Sequence, residues 1–209
     1  MAAHDHEHDH DEHEPELDEE AAERRRESER EFIRRQALAQ IRQYPDPVLR
    51  MRAREVDTFD DDLVRLVERM RGLMHDAAGV GLAATQVGVL RRVFVFQRDG
   101  ADEDSEPETH AVVNPEAVER SDETEVDDEG CLSLQGVLVP VERSKLLTIE
   151  GTDEHGQPVR FELDELSARV VQHELDHLDG TLILDRTTDE ARREALGTLR
   201  PRPALDRLG

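Results

Sequence analysis

The chain has 209 residues, which is enough for one domain with a sizeable core and an additional tail. Its net charge of -24, with 37% charged residues, disfavours binding to nucleic acid or to an anionic membrane surface. No apolar run approaches the roughly 20 residues of a membrane helix, and no cationic segment followed by an apolar one marks a signal peptide. Because the single cysteine, Cys131, has no partner for an internal disulfide, we expect a cytoplasmic protein.

The first 20 residues contain ten acidic side chains, no Lys or Arg, and five histidines: His4, His6, His8, His10 and His13. Such a segment has too little apolar surface to fold, so we predict a disordered acidic tail. Its histidines offer a loose site for transition metals, although a solvated tail is the simpler interpretation. Residues 21–42 are rich in Glu, Arg and Ala and favour a helix. We therefore divide the chain into an N-terminal extension (1–40), a folded domain (41–187) and a C-terminal tail (188–209).

The first half of the folded domain contains one helical pattern and two strand patterns. Residues 60–79 place apolar side chains at helical spacing after three aspartates, which predicts an amphipathic helix. Residues 93–96, Val-Phe-Val-Phe, predict a buried strand, and the polar residues 97–109 predict an exposed acidic loop. A second strand is expected over residues 111–113, ending before Asn114 and the proline that follows it.

The second half of the domain contains a hairpin pattern and a helix. Residues 147–149 and 159–163 alternate apolar and polar side chains around a turn-rich segment, which predicts a hairpin. A helix is expected over residues 165–178, with Asp164 as its candidate N-cap and Gly180 as the glycine after its last turn.

The order of these elements indicates the fold class. Short strands come first and a helix follows, without the strand-helix-strand alternation of a parallel sheet, so we predict an α+β fold. Residues 189–209 begin as a helix that breaks at Pro201 and Pro203.

The predicted helix over residues 165–178 carries an H-E-x-x-H motif at residues 173–177. His173 and His177 are four residues apart, so both imidazoles project from one face and are able to bind one ion. Glu174 lies about 100° around the helix from His173, within reach of a water at that ion. The motif also arises by chance in amphipathic helices, but it favours a hydrolytic metalloenzyme.

The helix supplies two ligands, whereas a catalytic zinc or iron site commonly has three protein ligands and a position for water. Cys131 is the candidate for the third, because it follows Glu129 and Gly130 in a polar stretch, whereas a structural cysteine is usually buried among apolar residues. A thiolate with two imidazoles suits Fe, Zn, Co or Ni better than Mg or Ca. The alternative is an ordinary buried cysteine.

A third segment is rich in glycine and reads Gly79-Val80-Gly81-Leu82-Ala83-Ala84-Thr85-Gln86. Its glycines permit close approach of a ligand to the backbone, and the Gln86 amide is a donor for developing negative charge. A connector between a helix and a strand, with Gln86 at the surface, explains the same pattern.

Taken together, the three segments resemble the peptide deformylase family. That family is marked by G-x-G-x-A-A-x-Q, E-G-C-L-S and Q-H-E-x-D-H in this order. The corresponding segments here run from Gly79 to Gln86, from Glu129 to Ser133 and from Gln172 to His177. The resemblance covers roughly residues 41–187. It implies an α+β fold in which antiparallel sheets pack around a central helix that carries the H-E-x-x-H motif.

The resemblance assigns a role to each matching residue. The positions that match the metal ligands are Cys131, His173 and His177. The positions that match catalytic groups are Glu174 as general acid and base, with the Gln86 amide and the Leu132 backbone N–H as oxyanion donors. The positions that match substrate-binding residues are Val80, Gly81, Glu129 and Gly130. The catalytic domain would be residues 41–187.

The resemblance also implies a reaction. The family usually uses ferrous iron, so we expect one divalent ion, Fe2+ first and Zn2+, Ni2+ or Co2+ as alternatives. Glu174 would accept a proton from water, hydroxide would attack the formyl carbon of an N-formylmethionyl peptide, and formate would leave. The expected partners are formylmethionyl nascent chains. A further hypothesis is that the acidic tail tunes encounters with the ribosome by repelling RNA phosphates.

Two positions depart from the family pattern. Residues 134–136, Leu-Gln-Gly, stand where an aliphatic residue followed by Pro is usual. Pro140 is followed by Val141, Glu142 and Arg143 rather than directly by Arg. Both changes fall in the region that shapes substrate binding in the family.

The residues leave two other functions open. A zinc endopeptidase with an H-E-x-x-H helix would need a third ligand after that helix, such as Glu190 or Glu194. A metal-binding protein without catalytic activity would use the histidine-rich tail as its binding segment.

Overall fold

The computed structural model of the chain describes residues 14–98 and 107–199. The five tail histidines, most of the predicted acidic loop and the prolines near the C-terminus lie outside the described residues. The helices are α1 (Glu14–Leu38), α2 (Asp61–Asp76), α3 (Glu165–Leu178), α4 (Ile183–Arg186) and α5 (Asp189–Leu199), with short 3-10 turns at Pro47–Arg50 and Ala84–Val87. The strands are β1 (Gly81–Ala83), β2 (Val93–Arg98), β3 (Glu108–Arg120), β4 (Thr124–Gly130), β5 (Leu138–Ser144), β6 (Leu146–Thr152) and β7 (Pro158–Asp164).

Two antiparallel sheets organise the molecule. The larger sheet has the order β1-β2-β3-β6-β7, and β4 pairs with β5 in a separate two-stranded sheet. Helix α3 packs against β1, β2, β6 and β7 of the larger sheet and against β5 of the smaller one. The predicted α+β class, with antiparallel sheets around a central helix, is confirmed.

The apolar run of β2 is explained by burial on both faces of the sheet. Val93 and Val95 enter a core cluster with α2 and the end of α1, whereas Phe94 and Phe96 enter a cluster with α3. Alternate side chains of a strand point to opposite faces, so a strand that is covered on both sides is apolar throughout.

Helix α2 begins as expected and ends earlier than expected. Asp60 caps it by accepting a hydrogen bond from the Leu63 N–H at 3.0 Å. The helix ends at Asp76 rather than at Gly79, because Ala78 adopts a left-handed conformation with φ +55°.

Helix α1 begins at Glu14, seven residues before the predicted start at residue 21. Acidic residues are favoured in the first turns of a helix, where they interact with the positive end of its dipole. This part of the segment that was predicted to be disordered is therefore helical.

Strand β3 continues through Asn114 and Pro115, so the predicted end of the strand at this point is wrong. Asn114 adopts φ +50°, and the pairing with β6 shifts register between Val113 and Glu116, as in a β-bulge. The Asn114 amide also pairs with the backbone of Val56, at 2.8 Å to its N–H and 3.0 Å to its carbonyl. The proline is accommodated because a bulge needs one ladder hydrogen bond fewer.

The described part of the predicted C-terminal tail forms helix α5. Helix α5 buries Ala195 in a cluster with Val139 and Val141 of β5 and with Leu182. The predicted helical start after residue 188 is present, and it packs against the domain.

Gly180 offers a stability test of the junction after α3. It has φ +73°, and a Cβ added there would lie 2.6 Å from the Arg50 carbonyl oxygen. We expect Gly180→Ala to lower the free energy of unfolding by about 2 kcal/mol or more, measured by urea denaturation. Gly197→Ala, on the exposed part of helix α5, is the control, because no atom lies within 4 Å of the added Cβ. This substitution should raise the free energy of unfolding by about 1 kcal/mol. Equal effects of the two substitutions would contradict this account.

Candidate metal centre

The three predicted ligands meet at a cleft of about 780 Å³, and Cys131 and His173 are among the residues that line it. Cys131 directly follows β4, and His173 and His177 lie one turn apart on α3. Their ligand atoms all lie within 4.8 Å of one another. The two Nε2 atoms are 3.1 Å apart, and the Cys131 Sγ is 3.3 Å from the Nε2 of His177. The structure therefore brings together the three residues that were predicted to bind the ion.

These three donors fit a transition-metal ion. Metal–nitrogen bonds of about 2.0 Å and metal–sulfur bonds of about 2.3 Å place tetrahedral ligands roughly 3.4 Å apart, close to the separations found here. Burial is the largest cause that lowers the pKa of His177 well below its usual range. His177 is therefore neutral, which is the form of imidazole that binds metal.

The orientation of His173 is set by Glu129. The Nδ1 atom of His173 lies 3.0 Å from Oε2 of Glu129, so it carries a proton toward the carboxylate. The lone pair of Nε2 is then directed at Cys131 and His177. A carboxylate behind a ligand histidine holds its tautomer and ring orientation, and it increases the basicity of the imidazole.

Glu129 is held within the protein on every side. Its carboxylate accepts two hydrogen bonds from Arg143, at 2.9 and 3.0 Å, and one from Arg169 at 2.9 Å. Burial by itself would raise the pKa of Glu129, but the hydrogen bonds from Arg143 and His173 lower it to about 2. Both oxygens are engaged, so the position of this side chain favours a role in orienting His173 over the predicted substrate contact.

Arg143 extends this network to a second carboxylate. It donates a hydrogen bond of 2.6 Å to Asp176 of α3, which also accepts hydrogen bonds from Arg186 at 2.6 and 3.0 Å. Arg143 was noted in the sequence only as a departure from the family pattern. The structure instead places it against Glu129, fourteen residues away along the β4–β5 hairpin.

Sequence reasoning missed Arg143, Arg169 and Asp176 as members of the site. A signal for two of them was present in α3. Arg169, His173 and Asp176 are spaced at i, i+4 and i+7, so a charged pair shares the helix face with the metal ligand. Charged residues on a face that is buried need partners, and such a face predicts an ion network.

Glu174 lies beside the three ligands with one oxygen uncommitted. The side chain is 3% exposed, and Oε2 has no hydrogen-bond partner among the described residues. Burial raises the pKa of Glu174 to about 7. A carboxylate with this environment is able to exchange a proton near neutral pH.

The predicted oxyanion donors lie next to Cys131. The Gln86 side chain is buried, its Oε1 accepts a hydrogen bond from the Ala83 N–H at 2.8 Å, and its Nε2 donates to the Ser133 hydroxyl at 3.2 Å. Nε2 also lies 3.7 Å from the Cys131 Sγ. The possibility that Gln86 lies at the surface is therefore wrong. The other predicted donor, the Leu132 N–H, belongs to the peptide unit that joins Cys131 and Leu132. This unit is oriented by a hydrogen bond of 3.0 Å from the Leu134 N–H to the Cys131 carbonyl.

The predicted substrate-binding backbone forms an open edge of the larger sheet. Strand β1 is an edge strand, and Val80 and Gly81 line the cleft, as does Gly130 at the end of β4. A Cβ at Gly81 would collide with the Glu174 carboxylate. Only glycine therefore allows the edge of β1 to approach the Glu174 carboxylate this closely.

The fold and the site define a class of protein, a metal-dependent hydrolase with a cysteine and an H-E-x-x-H helix around one ion. Within residues 14–98 and 107–199, no helix combines the length and apolar character needed to cross a bilayer.

Comparisons with known proteins agree with this class. Residues 38–193 match the family model described as polypeptide deformylase. The peptide deformylase of Acidothermus cellulolyticus is 44% identical over 164 residues, covering 78% of this chain and 87% of that protein. The structure of the Legionella pneumophila peptide deformylase is 37% identical with a TM-score of 0.69, covering 76% of this chain and 91% of that one. For the Thermotoga maritima peptide deformylase structure, the identity is 47% and the TM-score 0.64, over 71% and 96% of the two chains.

The chain belongs to the peptide deformylase family. It is an enzyme that removes N-terminal formyl groups from new peptides, so the function predicted from its three motifs is confirmed.

The endopeptidase alternative lacks its third ligand. Among the described residues, the one group of three candidate ligands that converges is Cys131 with the two histidines. Glu190 and Glu194 are exposed on α5. The alternative based on the histidine-rich tail concerns residues outside the described part.

Removal of Arg143 tests the buried ion network. Arg143→Met would leave Glu129 and Asp176 with fewer partners in a buried site, and we expect it to lower the free energy of unfolding by about 3–5 kcal/mol. Arg160→Met is the matched control, because Arg160 contacts Glu150 and Glu162 on the exposed face of β7. The control should change stability by less than about 1 kcal/mol, as measured by chemical denaturation. Similar losses in the two variants would contradict a buried network of this importance.

Proposed function

We propose that Cys131, His173 and His177 hold one divalent metal ion, and that Glu174, Gln86 and the Leu132 N–H carry out deformylation of N-formylmethionyl peptides beside it. The observation that carries this proposal is the convergence of the three ligand atoms within 4.8 Å next to the uncommitted Glu174 carboxylate. A thiolate with two imidazoles suits Fe, Zn, Co and Ni, and among these ferrous iron is our first choice because the family resemblance implies it. When bound, such an ion polarises the formyl oxygen and lowers the pKa of a water toward ~7.

Glu174 is the residue that moves protons. Its uncommitted oxygen accepts a proton from the attacking water, and the resulting hydroxide adds to the formyl carbon. The same carboxyl then gives the proton to the leaving amine, which produces formate and a free methionyl terminus. Because Gly81 has no side chain, the peptide end can lie directly against this carboxylate.

Gln86 and Leu132 stabilise the negative charge that develops on the formyl oxygen. The Gln86 amide is fixed before the substrate arrives, since its oxygen accepts from Ala83 and its nitrogen donates to Ser133. Donors that are already oriented need no reorganisation during the reaction. The Ser133 N–H donates a hydrogen bond of 3.4 Å to the Cys131 Sγ, which fixes the position of the sulfur beside the Gln86 amide.

The substrate main chain adds to the open edge of β1 as an extra strand. Val80, Gly81 and Gly130 supply backbone beside that edge, and the carboxylate of Glu129 keeps His173 in position.

The proposal includes three further statements. Residues 41–187 form the catalytic domain, the protein is cytoplasmic, and the acidic tail tunes encounters with the ribosome. Equal affinity for ribosomes with and without residues 1–13, at low salt, would exclude the last of these.

Substitution of Glu174 separates catalysis from metal binding. Purified protein loaded anaerobically with Fe2+ should release formate from a formyl-Met peptide, and Glu174→Ala should lose at least about 10²-fold in kcat because the proton acceptor is gone. Metal analysis should still find one ion per chain in this variant, whereas Cys131→Ala should reduce the metal content. Deletion of residues 1–13 should leave both the ion and the activity in place.

Three results would contradict the proposal. They are an absence of formate from the iron-loaded protein, full activity of Glu174→Ala, and loss of the ion on removal of residues 1–13. The third result would favour the histidine-rich tail as the binding segment.

The oxyanion role of Gln86 has its own test. Gln86→Leu should lower kcat by about 10²–10³-fold with little change in KM, because the amide acts on charge that develops in the transition state. Gln157→Leu, an exposed residue in the turn between β6 and β7, is the matched control and should keep the wild-type rate. A change confined to KM would assign Gln86 to substrate binding instead.

A further inference from the structure

Helix α1 lies almost entirely outside the family match, yet its last turns form a wall of the catalytic cleft. The match begins at residue 38, and α1 spans Glu14–Leu38. The same cleft that contains Cys131 and Glu174 is also lined by Glu31, Arg34, Arg35 and Leu38. Their spacing of i, i+3, i+4 and i+7 places these four side chains on one face of α1.

This wall is held in position by the core. Ala37, Leu38 and Ile41 are buried in the cluster formed by α2 and the sheet, and the side chain of Leu132 packs against that cluster. Leu132 also meets Gly79, since a Cβ added at Gly79 would lie 2.8 Å from Leu132 Cδ1. The end of α1 is therefore anchored beside the glycine-rich edge of the cleft.

The open edge leads a bound peptide from the catalytic residues toward α1. Gly81 lies against Glu174, and the chain after it, from Leu82 to Val87, is buried. Substrate backbone can therefore follow the edge only in the other direction, past Val80 and Gly79 to the exposed Ala78. Ala78 shares with α1 both the catalytic cleft and a second cavity of about 440 Å³.

The length of this path identifies the substrate position that reaches α1. Ala78 comes three residues before Gly81, in the turn that follows α2, so it lies at most about 10 Å from Gly81, a distance that an extended peptide spans in three residues. With the formyl group at Glu174, the third or fourth residue of the peptide arrives beside Ala78. Glu31 and Arg34 line both cavities at this point.

Charges of both signs meet at this wall, since the arginines Arg30, Arg34 and Arg35 stand among the acidic residues Glu27, Glu31 and Asp76. Arg34 forms no ion pair with a described residue, and the Nε of Arg35 lies 3.9 Å from Glu31, a long contact between exposed side chains. Such a contact leaves the guanidinium available to another carboxylate. The other acidic residue with an exposed side chain in the cleft, Asp128, lies on β4 close to the metal ligands in sequence.

We propose that the last turns of α1 are a specificity element, in which Arg34 and Arg35 select formylmethionyl peptides with an acidic residue at position three or four. Guanidinium groups bind carboxylates with two parallel hydrogen bonds, which supports recognition at a partly exposed site. The inference rests on the proposed function, because it takes the formyl end of the peptide to lie at Glu174.

Peptides that differ in one charge provide the test. We would compare kcat/KM for formate release from formyl-Met-Ala-Asp-Ser, formyl-Met-Ala-Asn-Ser and formyl-Met-Ala-Lys-Ser with the iron-loaded enzyme. The kcat/KM of the Asp peptide should exceed that of the Lys peptide by about threefold to tenfold at low ionic strength, because the guanidinium groups attract the Asp carboxylate and repel the Lys ammonium. The ratio should approach one near 0.5 M salt, because exposed charges are screened.

Two double variants with the same change in charge show whether α1 acts through this face. Arg34→Glu with Arg35→Glu should abolish or reverse the preference for Asp over Lys, with the Asn peptide hydrolysed at a similar rate. The second double variant, Arg25→Glu with Arg26→Glu, makes the same change in charge on α1, but each position lies about 130° around the helix from the face that lines the cleft. It should keep the wild-type ratio of kcat/KM between the Asp and Lys peptides. Circular dichroism should show equal helix content in both double variants.

The outcomes distinguish this inference from the proposed function. Equal rates for the Asp and Lys peptides in the wild-type enzyme would overturn the inference while leaving deformylation intact. Equal changes in the ratio of kcat/KM between the Asp and Lys peptides in the two double variants would also overturn the inference. An absence of formate from all three peptides would instead overturn the proposed function itself.

Discussion

The carboxylate of Glu129 holds together the three segments that build the metal centre. It is 5% exposed, and it accepts hydrogen bonds from Arg143 on β5 and from Arg169 and His173 on α3. Cys131 follows it by two residues, so the position of Glu129 also determines where the thiol lies relative to the histidines. An isolated carboxylate in such a place would be protonated, whereas two guanidinium groups keep it charged.

The charges around Glu129 alternate in sign toward the surface. Arg143 lies between Glu129 and Asp176, and Asp176 is in turn paired with the half-exposed Arg186. Each buried charge therefore has an opposite neighbour, which offsets much of the loss of hydration. The arrangement connects the β4–β5 hairpin to α3, while Val139 and Val141 of β5 pack in an apolar cluster with α4 and α5. It explains how strand β4, whose one apolar side chain is the exposed Val126, is held firmly enough to position Cys131.

The same feature limits what could be predicted from the sequence. Helix α3, the continuous apolar run of β2 and the alternating strands β6 and β7 have clear apolar patterns, and each was predicted near its observed position. Strand β4, Thr124–Gly130, reads Thr-Glu-Val-Asp-Asp-Glu-Gly and has no apolar period, so its pairing with β5 could not be foreseen. The prediction for His173, Glu174 and His177 came from their spacing on one helix, whereas that for Cys131 drew mainly on the resemblance to the family. Arg143 could not, because its role depends on a pairing across the hairpin.

Ligand binding and substrate selection depend on different parts of the structure. The proposed metal ligands are positioned by buried ion pairs, so we expect a substitution among those pairs to affect stability and catalysis together. The edge from Ala78 to Gly81 is positioned by α2, by β2 and by the end of α1, and the side chains that face the cleft from α1 are exposed. Exposed side chains change with little effect on stability, because they leave neither a cavity nor an unpaired buried charge. A helix added before the family domain can therefore alter peptide preference while the chemistry at Glu174 stays the same.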